Sequence, residues 1–219
     1  MYPVTFGILT GNLVFGRLGE GRSRNMDHFQ QKNGPMGFLA QNARSAAYHE
    51  AGHMVAAVLQ GLPLQDGGIH IDLEGSGVSY YCHRLPGNHV TSEIDTVERE
   101  KTIIAIYAGW VAQKKHFPNC DDGDSWESDR ATVSELLREL KHASLKATQR
   151  MLWERAEQLV HMNWSTIESL ALTVLAKPFT PMSALEFGRG WSKGKGIQEK
   201  FMSRVEVADF FRKINIQCR

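Results

Sequence analysis

The stretch "SAAYHEAGHMVAAVLQGLP", which begins at Ser45, constrains the fold more than any other part of the sequence. Ser45 is a suitable N-cap, and Gly61 followed by Pro63 is a typical helix stop signal. Between these signals the apolar residues recur at helical spacing, which is typical of a helix with one buried face. The residues of this face are Ala47, Ala51, Met54, Val55 and Val58. The sequence therefore predicts one amphipathic helix here.

The same helix carries His49, Glu50 and His53. Side chains four residues apart are neighbours on a helix, so the two imidazoles can bind one metal ion. Glu50 lies next to them and can reach a water molecule held by that ion, where it would act as a general base. Zinc lowers the pKa of bound water towards ~7, which suits the hydrolysis of amide bonds. A helix that merely contains histidines would have little reason for Gly52 at its centre, since glycine there costs about 0.5–1 kcal/mol unless another backbone packs closely.

The residues alone leave the third protein ligand open. The extended motif with a third histidine is absent, because Ala56 and Leu59 stand where Gly and His would be expected. Carboxylates further along the chain are all suitable oxygen ligands for zinc. These are Glu93, Glu98 and Glu100 on the next predicted helix, Asp121, Asp122 and Asp124 in an acidic loop, and Asp129.

The rest of the chain predicts a small β-hairpin and several helices. "GIHIDLEGSGVSYYCH" alternates apolar and polar residues and turns on glycines, which is typical of a hairpin over 69–82. Helical periodicity returns over 92–117 and again over 128–160, as one helix that can be bent. Capping boxes, in which Ser is followed three residues later by Glu, open two more helices at Ser165 and Ser203. The expected fold is α+β and predominantly helical, with a helical bundle after the hairpin.

The flanking segments carry less information. Residues 1–44 are rich in Gly, Asn and Gln and predict a loosely ordered arm before a domain over 45–219. "FGRGWSKGKG" lacks the residue spacing of a phosphate loop, so ATP binding is not expected there. Cys82, His83 and Cys120 lack the paired short spacing of a second zinc site. Tyr107 and His83 are candidates for stabilising an oxyanion, and the sequence does not determine whether either lies near the metal site.

Composition excludes several classes of partner. The formal net charge is +1 with acids and bases interspersed, so neither nucleic acid nor an anionic membrane is expected to bind. No apolar run approaches the ~20 residues of a membrane span, and the N-terminus lacks the pattern of a signal peptide. Three scattered cysteines do not form a disulfide framework. We therefore expect a soluble protein of the cytoplasm without a membrane anchor.

The motifs together resemble a known family. "AYHEAGHMVAAVL", a hairpin, "IYAGWVAQ" on a helix, an acidic loop and "SDRATVSELL" resemble, in order and spacing, the peptidase domain of the FtsH-type AAA proteases. The resemblance spans about Ser45 to Ile214. It implies that His49, His53 and Asp129 are the ligands of a Zn²⁺ ion and that Glu50 is the catalytic base.

The departures from the family pattern are specific. Gln113 stands where the family usually has Glu, and Arg130 replaces the usual Leu. The 177–203 segment is expected to be a loop insertion, and neither an ATPase module nor a membrane anchor is recognised. The resemblance thus implies a stand-alone zinc metalloendopeptidase that acts on flexible or unfolded polypeptides without ATP. A homo-oligomer and a separate ATPase partner stay open, as do a non-catalytic scaffold and a zinc amidase with a non-protein substrate.

Overall fold

The computed structural model describes residues 42–72, 75–81, 93–118, 127–140, 144–181, 198–216 and 218. The helices and strands follow one another along the chain in an order that places the hairpin directly after the first helix. They are α1 (42–59), β1 (Leu64–Asp72), β2 (Gly77–Tyr81), α2 (Glu93–His116), α3 (Glu127–Glu139), α4 (Leu145–Met162), α5 (Trp164–Leu175), β3 (Thr180–Pro181), β4 (Gln198–Met202) and α6 (Arg204–Lys213). The expectation of a predominantly helical α+β fold is confirmed.

The four described strands form one antiparallel sheet in the order β2-β1-β4-β3. The predicted hairpin is present, although β1 begins at Leu64 rather than at Ile69 and its pairing with β2 shifts register between these residues. β2 is an edge strand of the described sheet. Gly77 pairs with Ile71 and Ser79 pairs with Ile69, so these residues share the sheet face that carries the buried isoleucines.

Helix α1 lies at the centre of the main core. Every apolar residue that the sequence assigned to its buried face is buried. Gly61 ends the turn after the helix with φ of 73°, and its neighbour Leu62 donates to the carbonyl of Ala57 at 2.9 Å. Gly52 faces α2, where an added Cβ would lie 2.5 Å from the Ala108 carbonyl oxygen. The mid-helix glycine is therefore explained by the close crossing of α1 and α2.

A second apolar cluster joins α2 to the helices that follow it. Ile103, Leu136 and Leu152 are fully buried within this cluster. The helices α2, α3 and α4 thus pack on one another, and this packing fixes where the first turn of α3 lies relative to α1. That turn contains Asp129.

Three predicted helix boundaries are wrong. Helix α1 is already formed at residue 42, so Ser45 lies within it and is not its N-cap. The helix predicted over 128–160 is two helices, because Ser144 is extended and its hydroxyl caps α4 by accepting from the Ala147 N–H at 3.4 Å. Helix α5 begins directly after Asn163, so the predicted capping box at Ser165 lies inside the helix.

Other expectations hold or fall outside the described residues. The capping box at Ser203 is present, with the hydroxyl and the Glu206 carboxylate each accepting from the other's backbone N–H. Residues 1–41 of the predicted arm are outside the described residues. The 177–203 segment, expected to be a loop, contributes β3 and β4 at its two ends. Within the described part of the chain, no helix is both long and apolar enough to cross a membrane.

Candidate metal centre

Three side chains from two distant parts of the chain converge beside α1. The His49 Nε2 atom lies 2.9 Å from His53 Nε2 and 3.0 Å from the Asp129 Oδ2 atom. The third side of the triangle, from His53 Nε2 to Asp129 Oδ2, is 3.1 Å. All three residues are buried, each with 4% of its surface exposed. The structure thus brings together the two histidines of the motif and the aspartate that the resemblance singled out.

The other ring nitrogen of each histidine faces an acceptor. His53 Nδ1 lies 2.9 Å from the backbone carbonyl oxygen of Ala105, and His49 Nδ1 lies 2.9 Å from Gln113 Oε1. An N–H on each Nδ1 can donate to these oxygens, which leaves a lone pair on each Nε2. Two imidazole lone pairs and one carboxylate oxygen then point at a common position. Such a set of acceptors suits a cation.

Charge within the cluster favours the same conclusion. Burial raises the pKa of Asp129, but the neighbouring imidazoles outweigh burial and hold this pKa below its usual range. Burial lowers the pKa of His53, yet the Asp129 carboxylate outweighs it and raises that pKa to about 9. The aspartate is therefore ionised at neutral pH, and among the protein groups it is neutralised by a proton on His53. A bound cation would replace that proton.

Glu50 lies next to this triangle but is held by different residues. Its carboxylate is buried, and the Ser79 side chain of β2 is hydrogen-bonded to it. Burial raises the pKa of Glu50, an effect that the two histidines and the Ser79 hydrogen bond partly offset. Gly77 lies over the same carboxylate, since an added Cβ would be 2.7 Å from Glu50 Oε1. Atoms of His49, Glu50 and His53 that can bind a metal lie within 4.8 Å of one another.

Gly109 on α2 makes room for the imidazole ring of His53. An added Cβ on Gly109 would lie 2.2 Å from His53 Cε1 and 2.5 Å from either ring nitrogen. His53 therefore packs directly on the backbone of α2, one turn after the Ala105 carbonyl that accepts from it. Gly52 and Gly109 together allow α1 and α2 to approach closely enough for this contact.

The alternative oxygen ligands lie elsewhere or are not described. Glu98 pairs with Lys101 at 2.8 Å and Glu100 pairs with Arg155 at 3.3 Å, both on α2. The side chain of Glu93 and the loop with Asp121, Asp122 and Asp124 are outside the described residues. Of the described carboxylates, Asp129 is the one whose oxygen lies against both imidazoles.

Of the two oxyanion candidates, Tyr107 is the one that lies within the described residues. Tyr107 packs against Trp153 with ring centroids 5.0 Å apart, in the second apolar cluster. His83, Cys82 and Cys120 lie outside the described residues. Tyr81, which the sequence did not single out, is buried at the end of β2 with its ring 6.5 Å from that of His53. Burial and the carboxylates of Asp129 and Glu50 keep the pKa of Tyr81 well above its usual value, so its phenol keeps its proton.

Gln113 and Ser79 were not predicted as site residues. Gln113 stood out only as a departure from a family pattern and not as a partner of His49. Ser79 could have been found, because the period-2 alternation of the hairpin puts this residue on one face with Gly77. Comparison of the chain with protein-family models and with curated protein sequences found no match.

Proposed function

We propose that this protein is a zinc-dependent metalloendopeptidase and a stand-alone relative of the FtsH-type peptidase domain. The observation that carries the proposal is the triangle formed by His49 Nε2, His53 Nε2 and Asp129 Oδ2, whose sides measure 2.9, 3.0 and 3.1 Å. Ligand atoms about 2.0–2.1 Å from a tetrahedral zinc ion lie roughly 3.3 Å apart, close to these distances. Three protein ligands leave one position open, which is the pattern of catalytic rather than structural zinc sites.

The donor set fits zinc better than magnesium or calcium. Two imidazoles and one carboxylate are borderline-soft ligands, whereas the hard cations prefer a shell of oxygens. His49, His53 and Asp129 would hold the ion. When bound, zinc would polarise the carbonyl of the substrate and lower the pKa of a water molecule to near neutral pH.

Glu50 supplies the proton transfers in this proposal. Its buried carboxylate accepts a proton from the attacking water and then donates it to the leaving amine. The raised pKa of Glu50 makes it a stronger base than an exposed glutamate. Ser79 and Gly77 fix the carboxylate from the side of the sheet, so the base cannot turn freely away from the site.

The position of strand β2 favours a polypeptide, rather than another amide, as the substrate. This strand is an edge of the described sheet, and two of its residues contact Glu50. An extended peptide that paired with this edge would receive main-chain hydrogen bonds beside the catalytic base, without demand for a particular sequence. A folded substrate would first have to unfold, at a cost of some 5–15 kcal/mol. We therefore propose flexible or unfolded polypeptides as substrates, with location in the cytoplasm.

Four substitutions test the roles of the site. His49→Ala, His53→Ala and Asp129→Ala should each abolish stoichiometric zinc binding and activity, because each removes one of three protein ligands. Glu50→Gln should bind zinc like the unmodified protein and lose at least about 100-fold in turnover, because only the base is removed. Zinc is measured by elemental analysis after dialysis. Absence of zinc in the unmodified protein, even after titration, would refute the proposal.

The substrate class needs a separate assay. The isolated protein should cleave casein slowly, leave a stable folded domain intact and respond to ATP in neither case. Zinc binding without cleavage of casein or of a peptide library would favour the scaffold, whereas cleavage of small amides alone would favour the amidase. Degradation of the folded domain that ATP stimulates would contradict the account of the substrate.

A further inference from the structure

The two histidines are held by partners of different chemistry. His53 Nδ1 faces the backbone carbonyl of Ala105, which can only accept a hydrogen bond. This contact allows the neutral His53 a single tautomer, with its hydrogen on Nδ1. His49 Nδ1 instead faces the side-chain amide of Gln113, which has an acceptor at Oε1 and a donor at Nε2.

The other end of the Gln113 amide contacts a hydroxyl group, which can act as either donor or acceptor. Gln113 Nε2 donates to the Ser45 Oγ atom at 2.9 Å, and a serine hydroxyl can either accept or donate. Gln113 is buried, with 8% of its surface exposed, so water does not readily replace these partners. The hydrogen bonds that link Ser45, Gln113 and His49 can therefore run in either of two directions.

In the first direction, Gln113 Oε1 accepts from His49 Nδ1, and the His49 Nε2 lone pair is available to a cation. In the second, the amide has turned by half a rotation, so that its Nε2 donates to His49 Nδ1 and its Oε1 accepts from the Ser45 hydroxyl. The imidazole hydrogen then lies on Nε2, where the Asp129 Oδ2 atom at 3.0 Å accepts it. No hydrogen is gained or lost between the two, since the imidazole hydrogen only moves from one ring nitrogen to the other through exchange with water.

We propose that Gln113 is a reversible positioning residue for His49, with Ser45 as its second partner. It holds the zinc-binding tautomer while zinc is present, and it turns to stabilise the pairing of His49 with Asp129 when zinc leaves. This inference rests on the proposed zinc site and concerns how that site retains its metal. A carboxylate at this position would accept from both neighbours and would lock His49 in the zinc-binding tautomer.

The amide therefore weakens zinc binding relative to a carboxylate. With glutamine, the metal-free protein has a second satisfied arrangement that zinc must displace. Groups that hydrogen-bond to metal-ligating histidines typically change metal affinity by about 10–100-fold when they are replaced. Gln113→Glu should tighten zinc binding by about 10-fold. Gln113→Met, whose thioether is only a weak acceptor, should weaken it by about 10–100-fold.

The test uses the full chain with zinc alone as the probe. Affinity is measured by competition with a chromogenic chelator, and circular dichroism checks that each variant is folded. Gln158→Glu is the matched control, because it makes the same change of side chain at an exposed position of α4. Its zinc affinity should equal that of the unmodified protein. Nitrogen-15 NMR of the imidazoles then assigns the His49 tautomer with and without zinc.

The expected spectra show hydrogen on Nδ1 of His49 with zinc and on Nε2 without zinc in the unmodified protein. In Gln113→Glu the hydrogen should stay on Nδ1 in both states. If Gln113→Met does not fold, the zinc affinity of Gln113→Glu and these spectra still test the proposed role of Gln113. Stoichiometric zinc binding with equal affinity in the unmodified protein and Gln113→Glu, or a single tautomer throughout, overturns this inference alone. Failure of the unmodified protein to bind zinc overturns the proposed function and this inference with it.

Discussion

Gly109→Ala should remove zinc binding while the protein stays folded. The new Cβ would lie 2.2 Å from His53 Cε1 and 2.5 Å from both ring nitrogens, well inside contact distance. The atoms in its way belong to a side chain rather than to a backbone, so the imidazole can swing aside without moving α1 or α2. It would then lose both its hydrogen bond to Ala105 and its position in the triangle.

The magnitudes separate stability from metal binding. The broken buried hydrogen bond costs about 1–3 kcal/mol, while alanine in place of glycine within a helix returns about 1 kcal/mol. These two effects sum to a net loss of about 0–2 kcal/mol. Asp129 would also lose His53 but would keep His49 at 3.0 Å as its partner, so we expect a native domain to tolerate the substitution. The loss of one of three protein ligands should lower zinc affinity by more than about 100-fold, beyond what groups outside the ligand set contribute.

Gly77→Ala is the matched comparison, because its Cβ would meet the base instead of a ligand. That Cβ would lie 2.6 Å from Glu50 Cγ and 2.7 Å from its Oε1 atom. We expect this variant to bind zinc normally and to lose at least about 10-fold in turnover. Thermal unfolding, chelator competition and peptide cleavage are measured on both variants. Zinc affinity of Gly109→Ala within about threefold of the unmodified protein would refute the reasoning.

Two further predictions concern stability. The folded pKa of His53 is raised to about 9, so the stability it contributes is complete below its unfolded pKa of about 6.5 and is lost as pH rises towards 9. Asp129, whose pKa is lowered in the folded state, contributes stability above its unfolded pKa of about 3.9. This stability is lost as the solution is acidified. Melting temperatures in chelator should fall from pH 6.5 to 9, and a flat profile would contradict this. Gly52→Ala should lower the urea midpoint by an amount equivalent to about 1–3 kcal/mol, because its Cβ meets the Ala108 backbone at 2.5 Å; an unchanged midpoint would show that the helices separate freely.

Local signals predicted much of the fold, and contacts between distant segments account for most of what was missed. The apolar stripe of α1, the hairpin and the Ser203 capping box each depend on residues close together in sequence, and each is present. Ser144 was missed because the charged, helix-favouring residues on both sides of it give one continuous period. The true start of α1 was missed because Ser45 has the side chain of a cap but hydrogen-bonds across to Gln113 instead.

The site could be predicted in part for the same reason. Four-residue spacing on a helix is enough to place His49 beside His53, whereas the approach of Asp129 depends on the packing of α3 against α2. No local rule connects these segments, so the residues alone left several carboxylates equivalent. The resemblance singled out Asp129, and the geometry places its carboxylate against both imidazoles.

The close crossing of α1 and α2 ties the proposed chemistry to the stability of the fold. Together with the packing of α3 on α2, this crossing brings three acceptor atoms into a buried place, where unpaired polar groups cost several kcal/mol. Within the protein, one remedy is protonation of His53 beside Asp129, and this remedy weakens as pH rises. Zinc would satisfy all three acceptors at once and independently of that proton. A cation that binds the folded state alone stabilises it by about 2.7 kcal/mol at one hundred times its dissociation constant. The same acceptors that make the metal-free fold sensitive to alkali would therefore stabilise the metal-bound fold and hold the ion on which the proposed hydrolysis depends.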